Sequence, residues 1–121
     1  MNQRRNFQMN VLLAAAKDDS RQGLIDVLKK RGHGVYVISD TEWTAAWVTE
    51  GVAYQAVIVD DAATQSGFRA LKECRDRGYD GLFIVMVTSR SSGDFRSQAG
   101  MTVPRYDIGA IVTIIEVLEK K

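Results

Sequence analysis

Residues 56–67 read AVIVDDAATQSG. Four apolar residues, three of them β-branched, run into two adjacent aspartates and then a small polar stretch that closes on glycine. An apolar run this short, bounded by turn residues, has the composition of a strand covered on both faces. Its acidic end poses the question on which the function turns. Asp60 and Asp61 are either reactive groups or the punctuation of a buried strand.

Similar grammar extends in both directions. Upstream, NVLLAAA (10–16) and VYVIS (35–39) read as strands, and downstream so do LFIVMVT (82–88) and the shorter MTV (101–103). Helical patterns lie between them. In DDSRQGLIDVLKKRG, Leu24, Ile25, Val27 and Leu28 form an apolar stripe, Asp19 with Gln22 resembles a capping box, and Gly32 is placed to stop the helix. Asp40 or Thr41 caps TEWTAAWVTEG, which closes at Gly51. FRALKECRDRG (68–78) places Phe68, Leu71 and Cys74 along one face. Asp107 caps IGAIVTIIEVLEKK, whose Ile108, Ile111, Ile114, Ile115 and Leu118 make a broad stripe, with lysines at the negative end of the helix dipole. Between Thr88 and Met101 the polar, poorly periodic SRSSGDFRSQAG leaves room for only a short helix.

Apolar strands alternating with helices predict an α/β, three-layer flavodoxin-like (βα)5 sandwich with a parallel sheet in the order 2-1-3-4-5. Its fourth helix should be shortened or replaced by a loop. The chain reads as one domain over 1–121, with residues 1–8 as a flexible extension. In such sheets a site lies at the carboxyl ends of the strands, near the switch between strands 1 and 3. Asp60 and Asp61 belong there.

Bulk properties narrow the function classes. Of 121 residues, 16 are Lys or Arg and 15 are Asp or Glu, so the net charge of +1 makes no electrostatic case for nucleic acid or an anionic membrane. No apolar run approaches the roughly 20 residues that span a bilayer. MNQRRNFQMN lacks the apolar core of a secretory signal. The single cysteine, Cys74, cannot form an internal disulfide, which suits a reducing cytoplasm, and it reads as a packing or surface thiol.

The sequence resembles the receiver domain of two-component response regulators from Asn10 to Glu119. RQGLIDVLKKRGHGV is similar to the family's first helix and the approach to strand 2. YQAVIVD resembles the third strand with its phosphoryl-accepting aspartate, GFRALKECRDRG the Gly-led third helix, and FIVMVTS the fourth strand with its hydroxyl residue. The resemblance implies that Asp60 stands at the phospho-acceptor position and Thr88 at the hydroxyl that bonds a phosphoryl oxygen. Two family features are absent. Ala15 and Ala16 fall where the family has the acidic pair that, with the acceptor, holds Mg2+. In TVPRYD, either Val103 or Pro104 stands for the lysine that neutralises phosphoryl charge, and neither carries charge. Arg105 is a candidate substitute cation. Asp18 and Asp19 lie too far downstream to replace the acidic pair, and Asp19 is better read as the helix cap. Asp61 is a weak candidate metal ligand beside Asp60. The loop after Asp60 is one residue short and lacks the family's proline, and the stretch from Thr88 to Pro104 is also shortened.

The resemblance therefore implies a degenerate receiver, a pseudo-receiver: a non-enzymatic, cytoplasmic signalling module that acts by protein–protein interaction, without Mg2+ and without aspartyl phosphorylation. Its partners would be a kinase, an output domain or an adaptor of a phosphorelay, and it reads equally as the N-terminal regulatory domain of a longer regulator or as a stand-alone adaptor. The alternative is an active phospho-receiver with a rebuilt, Mg2+-dependent site on Asp60, Asp61, Thr88 and Arg105. A flavodoxin-like binder of a nucleotide or flavin is a third reading, and no phosphate-binding loop supports it. Homodimerisation, where it occurs, is expected through the family's helix 4–strand 5–helix 5 face, for which Phe95, Arg96, Arg105 and Tyr106 are candidates. Trp43 and Trp47 lie four apart and so share a helix face. Trp47 should pack on the sheet, while Trp43 sits at the margin between core packing and a partner contact. His33 reads as a half-buried loop residue.

Overall fold

The computed structural model describes residues 9–50, 52–61, 66–88 and 100–119. In chain order these form β1 (Asn10–Ala14), α1 (Asp19–Lys30), β2 (Gly34–Ile38), a 3-10 turn (Thr41–Trp43) leading into α2 (Thr44–Thr49), β3 (Ala56–Asp60), α3 (Ser66–Asp76), β4 (Leu82–Val87), β5 (Met101–Pro104) and α4 (Ile108–Glu119). The five strands pair in parallel in the order β2-β1-β3-β4-β5. That is the order expected from the alternating pattern. Residues 1–8 and 89–99, which carry the expected flexible extension and the expected remnant of a fourth helix, lie outside the described residues, as do Phe95 and Arg96.

Period-2 alternation of the strands builds two cores, one on each face of the sheet. Val11, Leu13, Ile58, Ile84 and Met86 meet Leu24 and Leu28 of α1 and Ile111 and Ile115 of α4. Leu12, Ala14, Val57, Val59, Phe83 and Val85 meet Ala45 of α2 and Ala70, Leu71 and Cys74 of α3. Cys74 is fully buried, and burial pushes its thiol up to about 11, the state of a packing residue.

Local signals set the ends of the helices. α1 stops in a Schellman motif: Gly32 takes φ 94°, its N–H bonds Lys29 O at 2.9 Å, and His33 N–H bonds Leu28 O at 3.1 Å. α4 starts at Asp107, whose Oδ1 accepts from Ala110 N at 3.1 Å. α3 begins at Ser66, two residues before the expected Phe68.

Three expectations are corrected. The cap of α1 is Asp18 and not Asp19: Asp18 is extended (φ −161°) and its Oδ1 accepts from Arg21 N at 2.9 Å. Asp19 is the first helical residue, with its charge in the first turn. Trp47 does not pack on the sheet. Thr44 and Ala45 take the inward side of α2, with Val48 partly buried beside them, and this leaves Trp43 58% and Trp47 42% exposed. His33 is buried and not half-buried, because its Nδ1 accepts the N–H of Met9 (3.2 Å) where the chain enters β1.

Candidate functional site

The carboxyl end of β3 delivers Asp60 to the rim of the sheet, opposite Met86 of β4. Across β4, the backbone ladder runs one step beyond β5, with Arg105 N–H bonding Val87 O at 2.8 Å. The chain then turns into α4 within two residues. Asp107 N–H bonds Pro104 O at 3.0 Å, and Tyr106 takes φ 55°, a left-handed conformation that is costly for a side chain with a Cβ. This turn fixes where the Arg105 side chain can go.

It goes to Asp60. Arg105 Nε donates to Asp60 Oδ1 and Oδ2, each at 3.0 Å, and Nη2 lies 2.9 Å from Asp60 Oδ2. Nη2 also reaches Asp18 Oδ2 at 3.2 Å. Only 8% of the Asp60 side chain is exposed, against 34% for Arg105 and 37% for Asp18, so the guanidinium closes over the acid from the solvent side. Its carbon sits 5.0 Å from the Tyr106 ring centroid, within cation–π range. Hydrogen bonding to Asp60, then the charges of Asp60 and Asp18, raise the Arg105 pKa. The Asp18 carboxyl is held below the usual range chiefly by the Arg21 N–H and also by Arg105. Burial pushes the Tyr106 phenol up to about 12, and its hydroxyl oxygen has no hydrogen-bond partner among the described residues.

Asp61 is built differently. It is 2% exposed, and its Oδ1 accepts from Gly67 N at 2.8 Å and, at 3.4 Å, from Phe68 N, so it caps the start of α3 from outside the helix. Oδ2 is buried and has no hydrogen-bond partner among the described residues. Desolvation raises its pKa, opposed in part by the two backbone N–H groups and reinforced by the Asp60 charge. A Cβ at residue 67 would sit 2.9 Å from Asp61 Cβ and 3.1 Å from Val59 Cγ2, so the carboxylate reaches the helix only because residue 67 is glycine. The receiver resemblance offers Asp61 only as a weak candidate metal ligand beside Asp60. The available signal for its capping role was an acid directly after a strand, followed by a glycine in the first turn of the next helix.

Other positions frame this arrangement. Ala15 is buried and donates its N–H to Ile38 O at 2.9 Å, while Ala16 is exposed. Val103 points into the core shared with α1 and α4, and Pro104 is exposed at the end of β5. Thr88 follows β4 at the same end of the sheet. The structure thus brings together Asp60, Arg105, Tyr106 and Asp18, and leaves Trp43 apart from them in the 3-10 turn before α2.

The donor set does not suit Mg2+. A hard dication wants several carboxylate oxygens together with water. Here Asp18 and Asp60 share a guanidinium, Asp61 is turned to the start of α3, and alanines occupy the positions of the acidic pair. Among the described residues, no group of three or more His, Cys, Asp or Glu side chains is placed to hold a metal ion.

The chain is similar to a CheY-like response regulator receiver domain from Methylobacillus flagellatus, with a TM-score of 0.72 and 16% identity, covering 92% of this chain and 98% of that one. It is also similar to the receiver domain of the histidine kinase CKI1 from Arabidopsis thaliana complexed with Mg2+ and BeF3−, with a TM-score of 0.67 and 16% identity, covering 93% and 91%. The chain has the receiver-domain fold. No protein-family model matches the sequence, and no curated protein matches it. Within this receiver fold, no helix of the described residues is long and apolar enough to cross a membrane.

Proposed function

We propose that this chain is a receiver-like signalling module, working in the cytoplasm, in which docking to a protein partner (kinase, output domain or adaptor) has replaced Mg2+-dependent phosphorylation of Asp60. One observation carries this reading: the fork of Arg105 on both oxygens of Asp60. A carboxylate nucleophile needs an oxygen free to attack and a cation placed to neutralise the incoming phosphoryl group. Here the cation and the would-be nucleophile neutralise each other. The donor set around them suits a guanidinium better than a hard dication. The pair instead ties the start of α4 to the ends of β3 and of the β1–α1 connection, holding one arrangement of the rim where a receiver would switch. That is the behaviour of a fixed docking surface.

The test uses the ligands present in the Arabidopsis neighbour. The 15N-labelled chain is titrated with Mg2+, then beryllofluoride, alongside an Asp60→Asn control. Amide signals of residues 57–61 and 86–88 should stay in place in both proteins. Shifts that appear in the parent chain and vanish in Asp60→Asn would restore the phospho-acceptor reading.

A further inference from the structure

We infer that the outward face of the 3-10 turn and α2 is a docking site for a helical segment of another protein that presents arginine or lysine among apolar side chains. Trp43 and Trp47 are the chain's two tryptophans, and they stand 58% and 42% exposed, one helical turn apart. The core does not need them, since Thr44, Ala45 and Val48 already close the inward side of this short helix. Two indoles left in water on one turn form an apolar surface of the kind that anchors interfaces, where tryptophan is the most enriched energetic contributor.

Charge selects the occupant. None of the 16 lysines and arginines falls between Arg31 and Arg69, a span that contains Asp40, Glu42 and Glu50, all exposed on or beside the turn and helix. Asp60 and Asp61, the other acids of that span, are engaged by Arg105 and by the α3 backbone. Of the nearby cations, Arg77, just past α3, approaches the end of α2 that leads into Glu50, with Nη1 3.5 Å from Thr49 Oγ1. Lys72 is paired with Asp76 at 2.9 Å, and Arg75 is turned to Tyr79 O and Gly81 O. The surface thus offers two indole faces, which attract guanidinium and ammonium groups, framed by three exposed carboxylates, of which Asp40 also accepts the Glu42 N–H at 2.9 Å. A basic amphipathic helix matches both features, with its apolar residues against the indoles and its cations on Glu42 and Glu50. The inference concerns the 3-10 turn and α2 alone and stands whatever Asp60 does.

Because both tryptophans lie on this face, intrinsic fluorescence reads it directly. The probe is a synthetic helical peptide with arginines and leucines interleaved at helical spacing, together with a twin that carries glutamate in place of arginine. At physiological ionic strength the arginine peptide should shift the emission to the blue with a saturable dependence, and the glutamate twin should leave it unchanged. Trp43→Ala should weaken binding about tenfold or more, equivalent to about 1.4 kcal/mol. The pair Glu42→Lys, Glu50→Lys should transfer the preference to the glutamate twin, while Asp60→Asn should change nothing. Equal response to both peptides would reduce the surface to general apolar adhesion and overturn the proposal, as would no response to either. A free protein whose emission is already blue, reddens on dilution and sediments as a dimer would assign the face to a second copy instead, also against the proposal.

Discussion

Asp60 and Asp61 are neighbours in the chain and both are nearly covered, with 8% of the first side chain and 2% of the second residue exposed. Their surroundings are opposite. Asp60 is compensated by a full positive charge that arrives from the far end of the fold, 45 residues away in sequence. Asp61 is compensated by backbone N–H groups a few residues downstream, and one of its oxygens has no hydrogen-bond partner among the described residues. The difference follows from strand alternation. Asp60 continues β3 toward the rim, while Asp61 has left the strand and points toward α3. Covering a carboxylate is costly either way, and the fold meets that cost with a long-range ion pair in one case and a local cap in the other. The long-range solution ties elements together, and the local one starts a helix.

The sharpest way to break the local solution is Gly67→Ala. The new methyl would lie 2.9 Å from Asp61 Cβ and 3.1 Å from Val59 Cγ2, and both neighbours are pinned, one by the cap and the other by β3. Overpacking of this kind costs about 1–3 kcal/mol, and displacement of Asp61 adds the loss of a cap, about 1 kcal/mol. Chemical denaturation should therefore show a loss toward the upper end of that range, even though alanine is the better helix former at an ordinary position. An unchanged midpoint would mean that Asp61 is not held against α3.

Breaking the long-range solution should cost less. Arg105→Ala removes the fork and uncovers the Asp60 carboxylate, for a loss of about 1–2 kcal/mol, since water can partly replace a guanidinium that is itself one-third exposed. Asp60→Asn should cost less than that, because Arg105 can turn to water and to Asp18. The double variant should be less destabilised than the two single losses added together, the signature of direct coupling. Strict additivity would show that the ion pair contributes nothing to the fold.

Much of this was legible in the chain. Strand identity and sheet order follow from short apolar runs, which are local and survive any change in packing detail. The Gly32 stop and the Asp107 cap were readable because each depends on residues within one turn. What escaped was set by geometry between elements. Asp18 and Asp19 are both competent caps, and only the path from β1 into α1 decides between them. The helical stripe of TEWTAAWVTEG has two registers, and the 3-10 turn at Thr41–Trp43 selects the one that leaves the tryptophans outside. Arg105 could be suggested as a cation for Asp60 from its place after β5, but the fork depends on the left-handed Tyr106, which no local signal announces.

The smallest effects test the electrostatic half of the contrast, through pH. Asp61 has its folded pKa raised above 3.8 by burial, so the folded state holds this proton more tightly than the unfolded chain. Stability attributable to Asp61 is therefore lost as pH rises from 3.8 through the folded pKa, and is constant beyond it. Asp18 has the opposite sign. Its pKa is depressed below 3.8 by the Arg21 N–H and by Arg105, so its contribution is present above 3.8 and disappears as pH falls through the folded value. Asp61→Asn keeps an oxygen for the Gly67 N–H but places an amide where Oδ2 had no donor. Its absolute stability mixes two effects, whereas its pH trend isolates one: relative to the parent chain, the variant should gain stability as pH climbs above 3.8. Asp18→Asn retains the cap, since asparagine caps as well as aspartate, and should lose its deficit as pH is lowered below 3.8. Melting temperatures measured across the acid range should thus give difference curves confined to opposite sides of 3.8. Curves that coincide would mean that the covered carboxylate after β3 and the rim carboxylate before α1 are solvated alike, and the contrast between a locally held acid and one that shares Arg105 would collapse.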